Sequence, residues 1–221
     1  MALTFSKKLS TILYFIFHPK SIKMVLSLKE SGYLAEMGWF RSLDTGKPVD
    51  KEGNPIPWFA YPATVFLSKR LQKNMVVFEY GSGNSTLFFA AFVKKIISVE
   101  TNKDWYQQTK RILPNNAIIH YCDYSQDKIK YQTFIKSTNE KFDLIIVDAD
   151  ERNEIILNLK ENLKDEGVII LDNSDREEYA SSINYLIKLG FLKIDFWGIT
   201  AGYFNQTCTT IFYKKNNCLG I

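Results

Sequence analysis

After residue 62 the chain alternates between short apolar runs and amphipathic stretches. The apolar runs are rich in β-branched residues and predict strands at 76–78, 96–99, 117–119, 144–147 and 168–171. Between them, the spacing of apolar residues predicts helices at 85–93, 104–113 and 154–163. Apolar strands separated by helices are typical of a parallel sheet covered on both faces. We therefore expect a doubly wound α/β domain over 63–221, with its functional residues at the carboxyl ends of the strands.

The first 62 residues have a different texture and predict an N-terminal helical and loop extension. Prolines and glycines are dense from 32 to 62, which indicates loops. Large rings are interleaved with them, at Trp39, Phe40, Trp58, Phe59 and Tyr61. These rings either bury against the main domain or form a lid over a ligand, and the two interpretations are compatible.

An apolar run at 11–17 is the one segment that suggests targeting. Seven apolar residues are too few to span a bilayer, and no small-residue cleavage site follows them. We favour a helix that packs on the domain or on a second subunit. Flanking lysines, Lys7, Lys8, Lys20 and Lys23, also allow contact with an anionic membrane surface.

Composition narrows the function classes. The 221 residues include 28 basic and 24 acidic side chains, a net charge of +4, and only five of the basic residues are arginines. This balance argues against nucleic acid as the main partner, because phosphate and base recognition favour the arginine fork. Three cysteines without metal-ligand spacing predict neither a disulfide framework nor a zinc site, and a reducing cytoplasm is the expected location.

The ends of the first two predicted strands carry the candidate binding chemistry. The first strand runs into Glu79-Tyr80-Gly81-Ser82-Gly83, a glycine turn that lets the backbone approach a ligand. About 20 residues later the second strand ends at Glu100, where adenosine-binding α/β folds place a carboxylate on the ribose. Thr86 stands where a dinucleotide fingerprint has its third glycine, and Glu79 suits a ligand with an ammonium and a sulfonium group better than a pyrophosphate.

Together these motifs resemble the class I S-adenosylmethionine (SAM)-dependent methyltransferases. The likeness runs from about 75 to 213 and includes Glu79-x-Gly-x-Gly, Glu100, Asp123, Phe142 to Asp148 and Gly167 to Asn173 in order. It implies a Rossmann-like, seven-stranded sheet whose last strand is antiparallel, with the final strands at 192–196 and 207–213. The stretches Glu-Tyr-Gly-Ser-Gly-Asn-Ser-Thr and Asp-Asn-Ser-Asp-Arg look closer to little-characterised bacterial methyltransferases, often linked to glycan modification, than to catechol-type O-methyltransferases.

The resemblance implies a role for each matching residue. Glu79, Gly81, Ser82 and Gly83 would bind the methionine part of SAM, Glu100 the ribose, and Asp123 or Cys122 the adenine. Asp148 would belong to the cofactor site, face the methyl group and the acceptor, and act in catalysis. The side chains themselves, apart from the resemblance, suggest the acceptor site: Trp58 and Tyr61 would offer ring faces, Asp172 and Asn173 would bind the acceptor, and Arg176 with Arg152 would clamp an anionic one. The implied reaction is in-line methyl transfer to a hydroxyl of a small molecule or glycan.

Three alternatives stay open. Asp148, Asp172 and Asn173 also resemble the divalent-metal ligands of catechol-type O-methyltransferases, although the residues around them depart from that pattern and no metal is the expectation we adopt. An NAD(P)-dependent oxidoreductase or epimerase is disfavoured by Thr86 and by the lack of a Tyr-x-x-x-Lys pair near the fourth or fifth strand. A non-catalytic cofactor-binding protein is the third. His120, near the end of the third strand, is expected to be an ordinary hydrogen-bonded histidine.

Overall fold

A computed structural model describes residues 4–221. Its centre is a seven-stranded sheet of order β3-β2-β1-β4-β5-β7-β6. Strand β7 runs antiparallel to both β5 and β6, and the pairs among β1 to β5 are parallel. The expected doubly wound sheet with an antiparallel last strand is confirmed. The strands are β1 (Val76–Tyr80), β2 (Lys95–Glu100), β3 (Ala117–Tyr121), β4 (Phe142–Val147), β5 (Leu163–Leu171), β6 (Leu192–Gly198) and β7 (Thr207–Tyr213).

Helices cover both faces of the sheet. In the described chain they are α1 (Phe5–Phe17), α2 (Pro19–Ser27), α3 (Tyr33–Glu36), α4 (Trp39–Thr45), α5 (Tyr61–Ser68), α6 (Asn84–Phe92), α7 (Lys103–Lys110), α8 (Lys128–Gln132), α9 (Arg152–Leu157) and α10 (Ala180–Lys188), with 3-10 turns at Phe134–Thr138, Lys160–Asn162 and Glu177–Tyr179. The predicted helix at 154–163 is too long, since α9 ends at Leu157, a 3-10 turn follows at Lys160–Asn162 and β5 begins at Leu163.

Two cores lie on the two faces of the sheet, because successive strand residues point to opposite sides. One core joins Val77, Ile96 and Leu144 to rings of the N-terminal extension such as Phe59. The other joins Phe78, Ile97 and Ile145 to side chains of α8, α9 and α10 such as Tyr131, Ile155 and Leu186. Core residues therefore lie on both sides of residue 62, and the boundary between 1–62 and 63–221 stays a prediction.

Helices α1 and α2 differ from the rest of the extension. Neither contains a buried residue, and their contacts are chiefly with each other. Within the described residues this apolar segment therefore does not pack on the domain, which corrects that part of the expectation, and packing on a second subunit stays a prediction. The chain first enters the core with α3 and α4, where Leu34 and Trp39 pack in the core that contains Val77 and Phe59.

Candidate active site

The register of the sheet brings four functional strand ends to one edge. Tyr80 lies opposite both Val99 and Val147, and Val147 lies opposite Leu171. The residues that directly follow, Gly81, Glu100, Asp148 and Asp172, therefore meet at the carboxyl end of the sheet, where ligands bind in open α/β folds.

Two cavities open along this edge. The glycine-turn cavity measures about 320 Å³ and is lined by Gly81, Ser82, Glu100, Asn102, Tyr131 and Tyr179. The Trp58 cavity measures about 430 Å³ and is lined by Trp58, Asp172, Asn173, Thr200, Tyr203 and Thr207. Asp148 and Arg176 line both cavities, so the two are adjacent at these side chains.

Only glycine fits at position 81. Its φ is +97°, and an added Cβ would come within 2.4 Å of the Asp148 carbonyl oxygen. A side chain here would collide with the backbone of the neighbouring strand end. The glycine therefore lets the ends of β1 and β4 approach each other beside the cavity.

Glu100 is held at the wall of the glycine-turn cavity by three hydrogen bonds. Its carboxylate accepts from the backbone amides of Thr101 (2.9 Å) and Asn102 (2.8 Å), and from the Ser82 hydroxyl (2.7 Å). A carboxylate has about four acceptor positions. The arrangement fixes the carboxylate and leaves acceptor capacity for a ligand in the cavity.

Glu79 does not line either cavity, which corrects its expected direct contact with a ligand. It is 1% exposed, and one carboxylate oxygen accepts from the hydroxyls of Thr86 (2.5 Å) and Ser98 (2.8 Å). The Thr86 hydroxyl in turn accepts from the Gly83 amide (3.0 Å). Burial raises the pKa of Glu79 to about 7. Glu79 therefore anchors the turn from beneath, through the threonine that replaces a third glycine.

Gly83 is also placed differently from the expectation, because the side open to a ligand is covered by a ring. An added Cβ would come within 3.1 Å of the Trp105 indole, whose N–H donates to the Ser82 carbonyl (2.6 Å). The Gly83 amide is occupied by Thr86. Gly83 thus packs the turn against α7 rather than lining the glycine-turn cavity. Nothing in the sequence pattern singled out Trp105.

The end of β3 contributes less to the cavity than expected. The Asp123 carboxylate accepts from the amide (3.1 Å) and hydroxyl (2.6 Å) of Ser125 and does not line the glycine-turn cavity. Cys122 is buried in the core, with its amide on the Glu100 carbonyl. His120 lies beside Phe134, outside both cavities, and burial lowers its pKa. An adenine contact at Asp123 stays a prediction.

A buried arginine organises the junction of the two cavities. Arg152 is 6% exposed and donates to the Asp148 carboxylate (2.7 Å), the Asn173 side-chain oxygen (3.1 Å) and the Asp172 carbonyl (2.9 Å). Its guanidinium also lies over the Tyr179 ring, 5.2 Å from the centroid. Arg152 therefore fixes the wall of the site and is not a free clamp for an acceptor. Arg176, by contrast, is half exposed and faces both cavities.

Two carboxyl groups at this junction have different environments. Asp172 is buried and accepts from the Thr209 hydroxyl (2.5 Å), and burial together with nearby Asp148 raises its pKa to about 8. Burial also raises the pKa of Asp148, while the guanidinium groups of Arg152 and Arg176 act to lower it. Burial and the neighbouring Asp148 therefore favour the protonated form of Asp172, whereas the two guanidinium groups favour the ionised form of Asp148.

The arrangement does not fit a divalent metal at Asp148, Asp172 and Asn173. The Arg152 guanidinium already binds the Asp148 carboxylate, the Asn173 side-chain oxygen and the Asp172 backbone carbonyl, and it would repel a second cation in the same place. No group of three or more His, Cys, Asp or Glu side chains within 4–221 is arranged to hold a metal.

One wall of the Trp58 cavity joins two distant segments, Trp58 and the loop between β6 and β7, while the ends of β4 and β5 supply the rest. The Trp58 indole donates to the Ala201 carbonyl (3.0 Å), and Trp39 donates to the Tyr203 carbonyl (3.0 Å). These bonds attach the N-terminal extension to the loop between β6 and β7. Tyr61, which was expected to bind the acceptor, does not line this cavity. It is fully buried at the start of α5 and packs edge-on against Tyr33.

Three solved structures share this architecture. They are precorrin-6y C5,15-methyltransferase from Geobacter metallireducens (18% identity, TM-score 0.54, covering 68% of this chain and 86% of that one), an rRNA methylase from Streptococcus thermophilus (18%, 0.53, 69% and 96%) and Aeropyrum pernix fibrillarin with natively bound SAM (14%, 0.50, 65% and 68%). The chain has the class I methyltransferase fold. The sequence matches no protein-family model and no curated relative. At 14% to 18% identity, the likeness to these structures establishes the fold alone.

Proposed function

We propose that this protein is a SAM-dependent methyltransferase that methylates a hydroxyl group of a small molecule or glycan. The observation that carries the proposal is the pair of cavities meeting at Asp148. One cavity offers a glycine turn and a fixed carboxylate, as a nucleoside cofactor requires. The other offers an aromatic wall with polar groups, as a sugar-like acceptor requires.

The glycine-turn cavity fits SAM. Gly81 and Ser82 bring backbone to its wall, and the remaining acceptor capacity of Glu100 suits ribose hydroxyls. Tyr131 and Tyr179 supply rings for an adenine or a sulfonium group. SAM supplies a methyl group on a positively charged sulfur, which a nucleophile displaces in line.

Asp148 is the proposed general base. It stands where the two cavities meet, and Arg152 binds one of its oxygens at 2.7 Å. The other oxygen can accept the proton that an acceptor hydroxyl loses as its oxygen gains the methyl group. Arg152 keeps Asp148 ionised and oriented, because it is itself held by Asn173 and the Asp172 carbonyl.

The Trp58 cavity supports a hydroxyl-rich acceptor. Trp58 and Tyr203 offer ring faces that suit the C–H face of a sugar, and Asn205 and Gln206 offer hydrogen bonds. Arg176 adds an accessible guanidinium for a phosphate or carboxylate on the acceptor. In this proposal residues 33–62 close the acceptor side, while Asp172 and Asn173 form its base.

The cofactor is tested by calorimetric titration of the full chain with SAM, S-adenosylhomocysteine and NAD. We expect both adenosyl compounds to bind and NAD to bind far more weakly. Glu100→Gln keeps an acceptor for the Thr101 and Asn102 amides but removes the charge, so SAM affinity should fall roughly tenfold or more. The control is Glu166→Gln, an exposed glutamate on β5. Unchanged SAM affinity in Glu100→Gln, or preferential NAD binding, would contradict the proposal.

The acceptor is tested by a screen for S-adenosylhomocysteine release. The panel comprises free sugars, sugar phosphates, nucleoside-diphosphate sugars, catechols and an RNA oligonucleotide. Release with a sugar or sugar phosphate, abolished in a variant that does not bind SAM, supports the proposal. Release with RNA alone would overturn it.

A further inference from the structure

Helices α1 and α2 expose a large apolar surface that the rest of the chain leaves uncovered. Side chains of both helices that a globular protein would normally bury are mostly solvent-facing: Phe5, Leu9, Ile12, Leu13, Ile16, Phe17, Ile22, Val25 and Leu26. An exposed apolar area of this extent marks an interaction site.

The apolar side chains of α1 form one stripe. Phe5, Leu9, Ile12 and Ile16 follow the spacing of a single helix face, and Phe5 and Ile16 are 83% and 62% exposed. Lys7 and Thr11 lie on the opposite side. Within residues 4–221, no helix is long and apolar enough to cross a bilayer. A stripe on a short amphipathic helix suits a location along a membrane surface.

The charges around this stripe have one sign. Between residues 4 and 29 the chain has five lysines, Lys7, Lys8, Lys20, Lys23 and Lys29, and no aspartate or glutamate. None of the five forms an ion pair with a residue of the described chain. A second copy of the protein would bring the same positive charges to the contact. An anionic lipid surface complements both the apolar stripe and the lysines.

We propose that α1 and α2 form a docking segment that binds the surface of bilayers containing anionic lipid. The α1 stripe enters the boundary between headgroups and acyl chains, and the lysines contact the headgroups. Both helices precede α3, where the chain joins the core, so the segment can bind a surface without unfolding the catalytic domain.

The test is co-sedimentation of the full chain with phosphatidylcholine vesicles, with and without phosphatidylglycerol. We expect sedimentation with the anionic vesicles, weakened roughly tenfold by high salt. Leu9→Gln with Ile16→Gln should abolish it. The matched control is Ile129→Gln with Leu157→Gln, which changes two exposed apolar residues on α8 and α9. Unchanged melting temperature and SAM affinity in each variant show that the fold is intact.

Two results would overturn the proposal. One is equal sedimentation of the stripe variant and the parent, or no sedimentation of the parent with anionic vesicles. The other is that light scattering shows the parent to be a dimer and the stripe variant a monomer, while the parent does not sediment with vesicles. The stripe would then pack between two copies of the protein. Neither result depends on methyltransferase activity.

Discussion

The glycine-turn cavity and the Trp58 cavity share Asp148 and Arg176 but are built from different lengths of chain. The first is lined chiefly by residues close to the ends of β1, β2 and β4. The second depends on a contact between residues 143 positions apart, the Trp58 indole and the Ala201 carbonyl. Under the proposed function, the cofactor side therefore follows from the sheet, whereas the acceptor side also needs the extension and the loop between β6 and β7 to pack together. Under the same proposal, we expect acceptor specificity to change without disturbing the cofactor side.

Asp148 should matter most, because both cavities meet there. Asp148→Asn keeps the size and an acceptor for Arg152 but cannot take a proton. With the acceptor found in the screen, we expect turnover to fall by roughly 10²- to 10⁴-fold while S-adenosylhomocysteine affinity changes little. Asp165→Asn, at an exposed position on β5, is the control. Turnover near the parent value would show that Asp148 does not accept the proton.

Arg152 is the next largest effect. Arg152→Met leaves the Asp148 carboxylate partly buried without its partner and should lower the free energy of unfolding by about 3 kcal/mol. Denaturant titration measures the loss, and Arg152→Lys should restore part of it.

Because the guanidinium supplies the positive charge of the junction, turnover of the parent should be unaffected by EDTA. Loss with EDTA and recovery with Mg²⁺ would show that a metal is needed after all.

The residues of the glycine-turn cavity could be predicted from the sequence better than those of the Trp58 cavity. Strand ends, the glycine turn and Glu100 follow from local patterns, and the structure brings Gly81, Ser82, Glu100 and Asp148 to one cavity. Side-chain direction was the harder part. Both faces of β1 are buried, so alternation along the strand could not show that Glu79 points away from the cavity.

Tertiary packing decided what local pattern left open. Trp58 and Tyr61 are three residues apart and equally aromatic, yet one lines a cavity and the other is core. The sequence suggested Arg152 only as a clamp for an anionic acceptor. Its three oxygen partners lie at two strand ends, Asp148 after β4 and Asp172 with Asn173 after β5. The Asp148 contact spans four residues, but the contacts with the end of β5 depend on how the two strands pack.

Trp58 tests the acceptor side alone. Trp58→Ala should lower kcat/KM for the acceptor roughly tenfold, because an aromatic face and its hydrogen bond to Ala201 are lost. Affinity for S-adenosylhomocysteine should stay within a few-fold. Trp197→Ala, at a half-exposed position on the edge strand β6, is the control. An equal loss of cofactor affinity would move the ring to the glycine-turn cavity, and no loss at all would make it a packing residue.

Each cavity also has one buried carboxyl group beside it, and the titration of these two groups separates the two sides. The pKa of Glu79, behind the glycine turn, is raised from 4.5 to about 7, and that of Asp172, at the Trp58 cavity, from 3.8 to about 8. For each group, at a pH between its ordinary pKa and its raised pKa, the folded protein holds a proton that the unfolded chain has released. Stability should therefore fall as pH rises from about 5 to 7, by at most about 1.4 kcal/mol per pH unit for each group.

Glu79→Gln retains an acceptor for the Thr86 and Ser98 hydroxyls and removes one titrating group. Its free energy of unfolding, measured by denaturant titration across this range, should fall less steeply with pH than that of the parent. The slope that remains should come chiefly from Asp172 and persist to about pH 8. Glu166→Gln, with its side chain in solvent, should follow the parent curve. Parallel curves for Glu79→Gln and the parent would mean that Glu79 is ionised in the folded protein, and its bonds to Thr86 and Ser98 would then be charged ones that hold the turn more tightly.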